Sequence, residues 1–157
     1  MKLKKEKSIE KPNLLRKQEK PIRVENSVSA PIEKVWDYWT EPEHIKKWNS
    51  ASDDWHTPQA ENDLRVGGKF LSRMEAKNKS KGFDFTGTYK KVEKPRHISY
   101  AMEDGRKVNV NFSAKNNGTM ITETFDPETT HSREMQQSGW QAILDNFKKY
   151  VEASNFQ

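Results

Sequence analysis

The stretch "APIEKVWDYWTEPEHIKKW", Ala30 to Trp48, decides the fold. Pro31 stands where a helix opens, a place where its missing N–H costs nothing. Ile32, Val35, Trp36 and Trp39 then fall at i, i+3, i+4 and i+7, a single apolar stripe. Thr40 followed three residues on by Glu43 has the spacing of a capping box, which predicts a second short helix with Ile45 and Trp48 as its apolar contacts. The segment after it, Asn49 to Asp63, is polar and is predicted as a long loop carrying Trp55 and the run "SDDWH". Two short amphipathic helices joined this tightly need a surface to cover, and the sequence on either side supplies it.

Upstream, Ile22, Val24, Asn26 and Val28 alternate with Arg23, Glu25 and Ser27, the period of a half-buried strand whose one inward polar residue is Asn26. Downstream, alternation predicts a strand with Phe70, Ser72 and Met74 inward, then one with Phe83, Phe85, Gly87 and Tyr89 inward. A third puts Ile98, Tyr100 and Met102 on that face, and Asp104-Gly105 supplies a hairpin turn into Val108, Val110 and Phe112. Ile121, Glu123 and Phe125 complete an antiparallel meander with one apolar face. The closing segment is a long helix whose inner stripe runs through Gln136, Gly139, Trp140, Ile143, Leu144, Phe147, Tyr150 and Val151. The order is strand, two helices, five strands, long helix. A sheet with one apolar face needs a cover, and only the last helix is large enough to give it.

Composition narrows the function classes. The chain has 157 residues and no cysteine, which excludes disulfides and thiolate metal sites and fits a reducing cytoplasm. No apolar run reaches the ~20 residues of a membrane span, and the basic start lacks the apolar middle of a secretory signal. The net charge of +5 is carried entirely by residues 1–20, leaving the remainder neutral with 20 residues of each sign. That distribution argues against a nucleic-acid interface, which carries its basic patch on the folded body. Residues 1–20 are expected to be a solvated, disordered tail and residues 21–155 the folded domain. No phosphate-binding loop, dinucleotide fingerprint, nucleophile elbow or zinc-protease motif is present.

The motifs "APIEKVWDYWTEPEHIKKW", "ASDDWHTPQAENDLRVGGKF", "GFDFTGTY" and "GWQAILDNFKKYVE" resemble the helix-grip (START-like, SRPBCC) superfamily. More narrowly they resemble its bacterial branch named after the C-terminal domain of the activator of the heat-shock-protein-90 ATPase. The resemblance implies an α+β fold, a curved six-stranded antiparallel sheet around a long C-terminal helix with two short helices after the first strand. It also implies a cavity between sheet and helix, in which members of the superfamily hold apolar molecules and a few catalyse cyclisations.

Several residues become candidates on that basis. Trp48 and Trp55 either line the mouth of the cavity or clamp the loop as core pieces. Phe70, Met74, Phe83, Phe85, Tyr89, Tyr100, Met102 and Phe112 face inward from the sheet, and Trp140 and Leu144 from the helix. Gly139 removes side-chain volume on the inner stripe, leaving room for a ligand or for close packing. Glu123 occupies an inward position, where burial raises a carboxyl pKa unless a partner offsets it. It either orients or protonates a ligand or makes a structural contact, Asn26 being near because the first and last strands of this fold are neighbours. His56 with Asp53 and Asp54 has the chemistry of a metal or proton site but no ligand-set spacing, so no metal and no cofactor are expected. The leading expectation is a binding protein for an apolar or amphipathic small molecule. The alternatives are a co-chaperone-like module that contacts a heat-shock ATPase, or a cyclase- or hydrolase-type enzyme using Glu123 or His56. The oligomeric state has no signature in the sequence.

Overall fold

The structure, a computed structural model, describes residues 20–154. The basic tail expected over residues 1–20 therefore lies outside the described residues, apart from Lys20. Seven strands, β1 (Ile22–Val28), β2 (Trp55–Asn62), β3 (Lys69–Ala76), β4 (Gly82–Glu93), β5 (His97–Met102), β6 (Lys107–Lys115) and β7 (Gly118–Phe125), form one antiparallel sheet in the order β1-β7-β6-β5-β4-β3-β2. Three helices complete the fold: α1 (Ile32–Thr40), α2 (Pro42–Trp48) and α3 (Arg133–Ala153). This is the helix-grip architecture, with one strand more than the six expected.

The extra strand, β2, lies within the segment expected to be a loop. "WHTPQAEN" shows no period-two pattern, holds Pro58, and is irregular against β3 between His56 and Gln59. Each of these features is tolerated because β2 is an edge strand, where proline removes no ladder bond and blunts pairing with another chain. The expected capping box is also absent. Thr40 is still the last residue of α1, so its hydroxyl donates back to the Trp36 carbonyl at 2.8 Å. Glu41 caps α2 without a side-chain bond, and Pro42 opens it.

The opposite edge, β1, is closed by α3. Gln137 and Gln141 each donate to a β1 carbonyl, Arg23 and Glu25, at 3.0 Å. Further along, Lys148 donates to the Ser27 carbonyl at 2.6 Å, and Glu152 accepts the Ser29 N–H at 2.8 Å. Between them Asn26 donates to Asp145 at 2.8 Å, so Asn26 serves the helix and not Glu123. These helix positions follow one another at intervals of three or four and form one polar stripe. Beside it Leu144, Phe147 and Val151, all 0% exposed, meet the core built by β1, β6, β7 and α1. The helix therefore grips the sheet at its β1 end, and α2 packs over β2 at the other.

Gly87 fixes one wall of the space left between them. A Cβ at this position would stand 2.6 Å from the Phe70 ring and 3.1 Å from the Ala101 carbonyl. Phe70 has little freedom to move, with Tyr100 at 4.7 Å, Tyr89 at 5.4 Å and Phe85 at 5.5 Å between centroids. The variant Gly87→Ala is expected to lose about 1–3 kcal/mol of stability through this overpacking, measured as a lower denaturation midpoint with an unchanged slope.

Candidate functional site

The concave face of the sheet is only partly filled. A cavity of about 300 Å3 lies between β2–β5, β7, α2 and α3. That is at the small end of the range for small-molecule sites. Its walls are mostly aromatic. Phe70 meets Tyr100 edge to face, at 4.7 Å and 80°. From the helix, Trp140 stacks on Phe125 at 3.9 Å and turns its edge to Phe85 at 6.2 Å. Trp39 and Trp48 close the α1–α2 side and lie 4.9 Å apart, both packed on Phe147. The Trp48 indole N–H donates to the Tyr38 carbonyl at 2.9 Å, and Asn146 of α3 donates to the Trp48 carbonyl at 2.9 Å. A large ring at the start of a polar segment is thus held by its polar edge while its apolar body forms wall.

Ten of the residues singled out in the sequence stand on this wall: Trp48, Phe70, Met74, Phe83, Phe85, Tyr89, Tyr100, Met102, Glu123 and Trp140. Phe83 is 47% exposed, which puts it where the wall meets solvent. Five others stand elsewhere. Trp55 packs on Phe83 at 6.0 Å from the edge strand. His56 faces outward, 3.8 Å from Glu75. Phe112 is core, enclosed by Trp36 and Trp39, and Leu144 is fully buried under α3. Gly139 lies off the wall, and an added Cβ there would have nothing within 4 Å, so close packing does not explain it.

The structure adds wall residues that periodicity did not select. Asn62 and Glu61 come from β2, and Arg106 from the turn between β5 and β6. Asn62 donates to the Thr40 carbonyl at 2.6 Å and accepts the Tyr89 hydroxyl at 2.5 Å, tying β2, α1 and β4 together at the cavity. Trp39, at i+7 on the α1 stripe, had the signal of a core residue and serves as both core and wall. No group of three or more His, Asp or Glu side chains among the described residues is placed to hold a metal.

Glu123 is the polar centre of the cavity. It is 6% exposed, and its cross-strand neighbours are Val24 and Val110. Among the described residues no hydrogen-bond donor reaches its carboxyl group. Every fully enclosed side-chain N or O of the described residues has a partner, so the Glu123 oxygens, which have none, must face the open space. Burial alone pushes its pKa up to about 8. The Tyr100 hydroxyl is pushed well above its ordinary value, by burial first and then by the Glu123 charge, with Arg106 pulling the other way. Burial likewise raises Tyr89, against the hydrogen bond to Asn62. The cavity therefore presents one apolar surface and two ionisable groups, the Glu123 carboxyl and the Tyr100 hydroxyl, without a hydrogen-bond partner among the described residues.

Comparison with known proteins places this architecture. The family model of the activator of Hsp90 ATPase homolog 1-like protein matches residues 29–152. The chain belongs to this family. An AHSA1-like protein from Aeromonas hydrophila is 50% identical, with a TM-score of 0.82, covering 87% of this chain and 95% of its own. A protein from Cytophaga hutchinsonii is 52% identical over the same shares of the two chains, with a TM-score of 0.74. A protein from Nitrosomonas europaea shares the fold at 19% identity and a TM-score of 0.75, covering 88% of this chain and 98% of its own. None of the curated proteins compared with the chain matches it. The AHSA1-like fold is compatible with small-molecule binding and with chaperone contact, and no helix among the described residues is long and apolar enough to cross a membrane.

Two outcomes follow from this geometry. Glu123 holds its proton to about pH 8 when folded, against 4.5 as the ordinary value. Its contribution to stability is therefore fully present below pH 4.5 and is lost as the pH rises towards 8. Glu123→Gln should be more stable than the parent at pH 8 by a few kcal/mol, at ~1.4 kcal/mol per pKa unit. The gap should close towards pH 4.5, as read from denaturation midpoints across that range. Gly139→Ala should stabilise the protein by about 1 kcal/mol through helix propensity, raising Tm while the intrinsic fluorescence of the cavity tryptophans stays unchanged.

Proposed function

We propose that this AHSA1-like domain is a binding protein for an apolar or amphipathic small molecule, held between the sheet and α3 and acting in the cytoplasm. The observation that carries this reading is the Glu123 carboxyl group, buried in an aromatic cavity and without a hydrogen-bond partner among the described residues. A partnerless buried polar group is costly, on the order of 1–3 kcal/mol or more when charged. Retaining one is reasonable where a bound molecule supplies the missing bond. The aromatic walls provide the apolar contact, and the wall residues are fixed by packing and by the Asn62, Asn146 and Trp48 hydrogen bonds, so the space is largely preformed.

A second reading, a co-chaperone-like module acting on a heat-shock ATPase, is favoured by the family's description. Native mass spectrometry of the protein purified from its own source, set against the denatured mass, separates the two. A small-molecule mass excess that disappears on denaturation is the expected result. A bare chain, together with unchanged tryptophan fluorescence across a panel of apolar probes and co-purification with the chaperone, would replace the first reading by the second.

A further inference from the structure

We infer that the molecule this cavity accepts is an amphipathic amine, its apolar body among the rings and its ammonium group on Glu123. This rests on the small-molecule reading above and narrows it to one ligand chemistry.

Three observations lead there. The first is the wall itself: Trp39, Trp48, Phe70, Phe85, Tyr100 and Trp140 surround the space. Aromatic faces carry negative potential and attract organic cations, most strongly when water is excluded. The second is the charge of the lining. Glu61 and Glu123 are its acidic groups and Arg106 its one basic group among the described residues. Arg106 is already bound, its Nε 2.8 Å from Asp104 Oδ2. Glu61 accepts from Gln59 Nε2 at 2.7 Å, so Glu123 is the acidic group of the lining left for a ligand, and an anionic ligand would have to share the one cation, the Arg106 guanidinium, with Asp104. The third is the placement of Glu123, whose oxygens open on the cavity while its neighbours Val24 and Val110 offer nothing to bond.

The other ionisable groups around Glu123 fit the same ligand. Tyr89 and Tyr100 stay neutral over the ordinary pH range because burial raises both. Asp145 of α3 is occupied by Asn26 and Gln141 at the β1 edge. In the free protein at pH 7 Glu123 is mostly protonated. An ammonium ion arriving at that carboxyl group drives its proton into the buffer and leaves an ion pair of zero net charge. Binding is therefore linked to release of about one proton.

The test uses octylamine, octanol and octanoate, which share a tail and differ in head group, followed by calorimetry and tryptophan fluorescence on the purified chain at pH 7. Octylamine is expected to bind at least about tenfold more tightly than octanol, in keeping with a paired buried charge, and octanoate most weakly. Its heat in phosphate and in HEPES should differ by the ionisation of about one proton, and its affinity should rise between pH 6 and pH 8. Glu123→Gln, expected to fold stably, should bind octylamine no more tightly than octanol. Octanol or octanoate binding as tightly as octylamine would overturn the inference while leaving a binding cavity in place. So would amine affinity unchanged in Glu123→Gln. If none of the three binds, the cavity reading falls with it.

Discussion

One helix must cover a sheet that is too wide for it. Seven strands at ~4.8 Å spacing extend roughly 30 Å across, whereas a helix with its side chains is about 10–12 Å in diameter. The sheet has one apolar face, so the mismatch cannot be left to solvent. The chain resolves it by curling the sheet, laying α3 along the β1 end and tucking α2 over β2 at the other. What lies between, over β3 to β5, is the part of the face that neither helix reaches. Large rings narrow that gap without filling it, and a cavity of about 300 Å3 remains.

The placement of α3 depends on two faces of the same helix. Leu144, Phe147 and Val151 hold it against the core, and its polar stripe of Gln137, Gln141, Asp145, Lys148 and Glu152 serves the edge of β1. An exposed edge is a template for another strand. Here its carbonyls are met by helix side chains, which also fixes the rotation of α3 and hence the direction in which Trp140 points. The other edge is blunted by Pro58 and an irregular register. Trp140, stacked on Phe125, then stands opposite Phe85 and completes the aromatic wall.

Alternation located six of the strands and apolar spacing the first and last helices, because those elements each bury one face, whereas α2 was placed by a capping-box spacing that does not form. β2 escaped because an edge strand with a bulge and a proline buries little and need not alternate. Its loss hid Glu61 and Asn62, and Arg106 was hidden in a hairpin turn. Periodicity also reports only which side chains point inward, not whether they meet a neighbour or a void. Phe112 and Leu144 carry the same signal as Phe85 and Trp140, yet they end in packed core. Glu123 was legible for the opposite reason: a carboxylate at an inward register position conflicts with its surroundings, and that conflict marks the site.

The account depends on that carboxyl group being buried, open to the cavity and without a hydrogen-bond partner among the described residues. Its pKa measured directly, from the Glu123 side-chain carbon resonance of labelled, ligand-free protein during a pH titration, is the closest test. A midpoint near 8, far above the ordinary 4.5, is the predicted result. A midpoint at or below 4.5 would mean that the group is solvated or paired, and the cavity would lose the feature on which its proposed role rests.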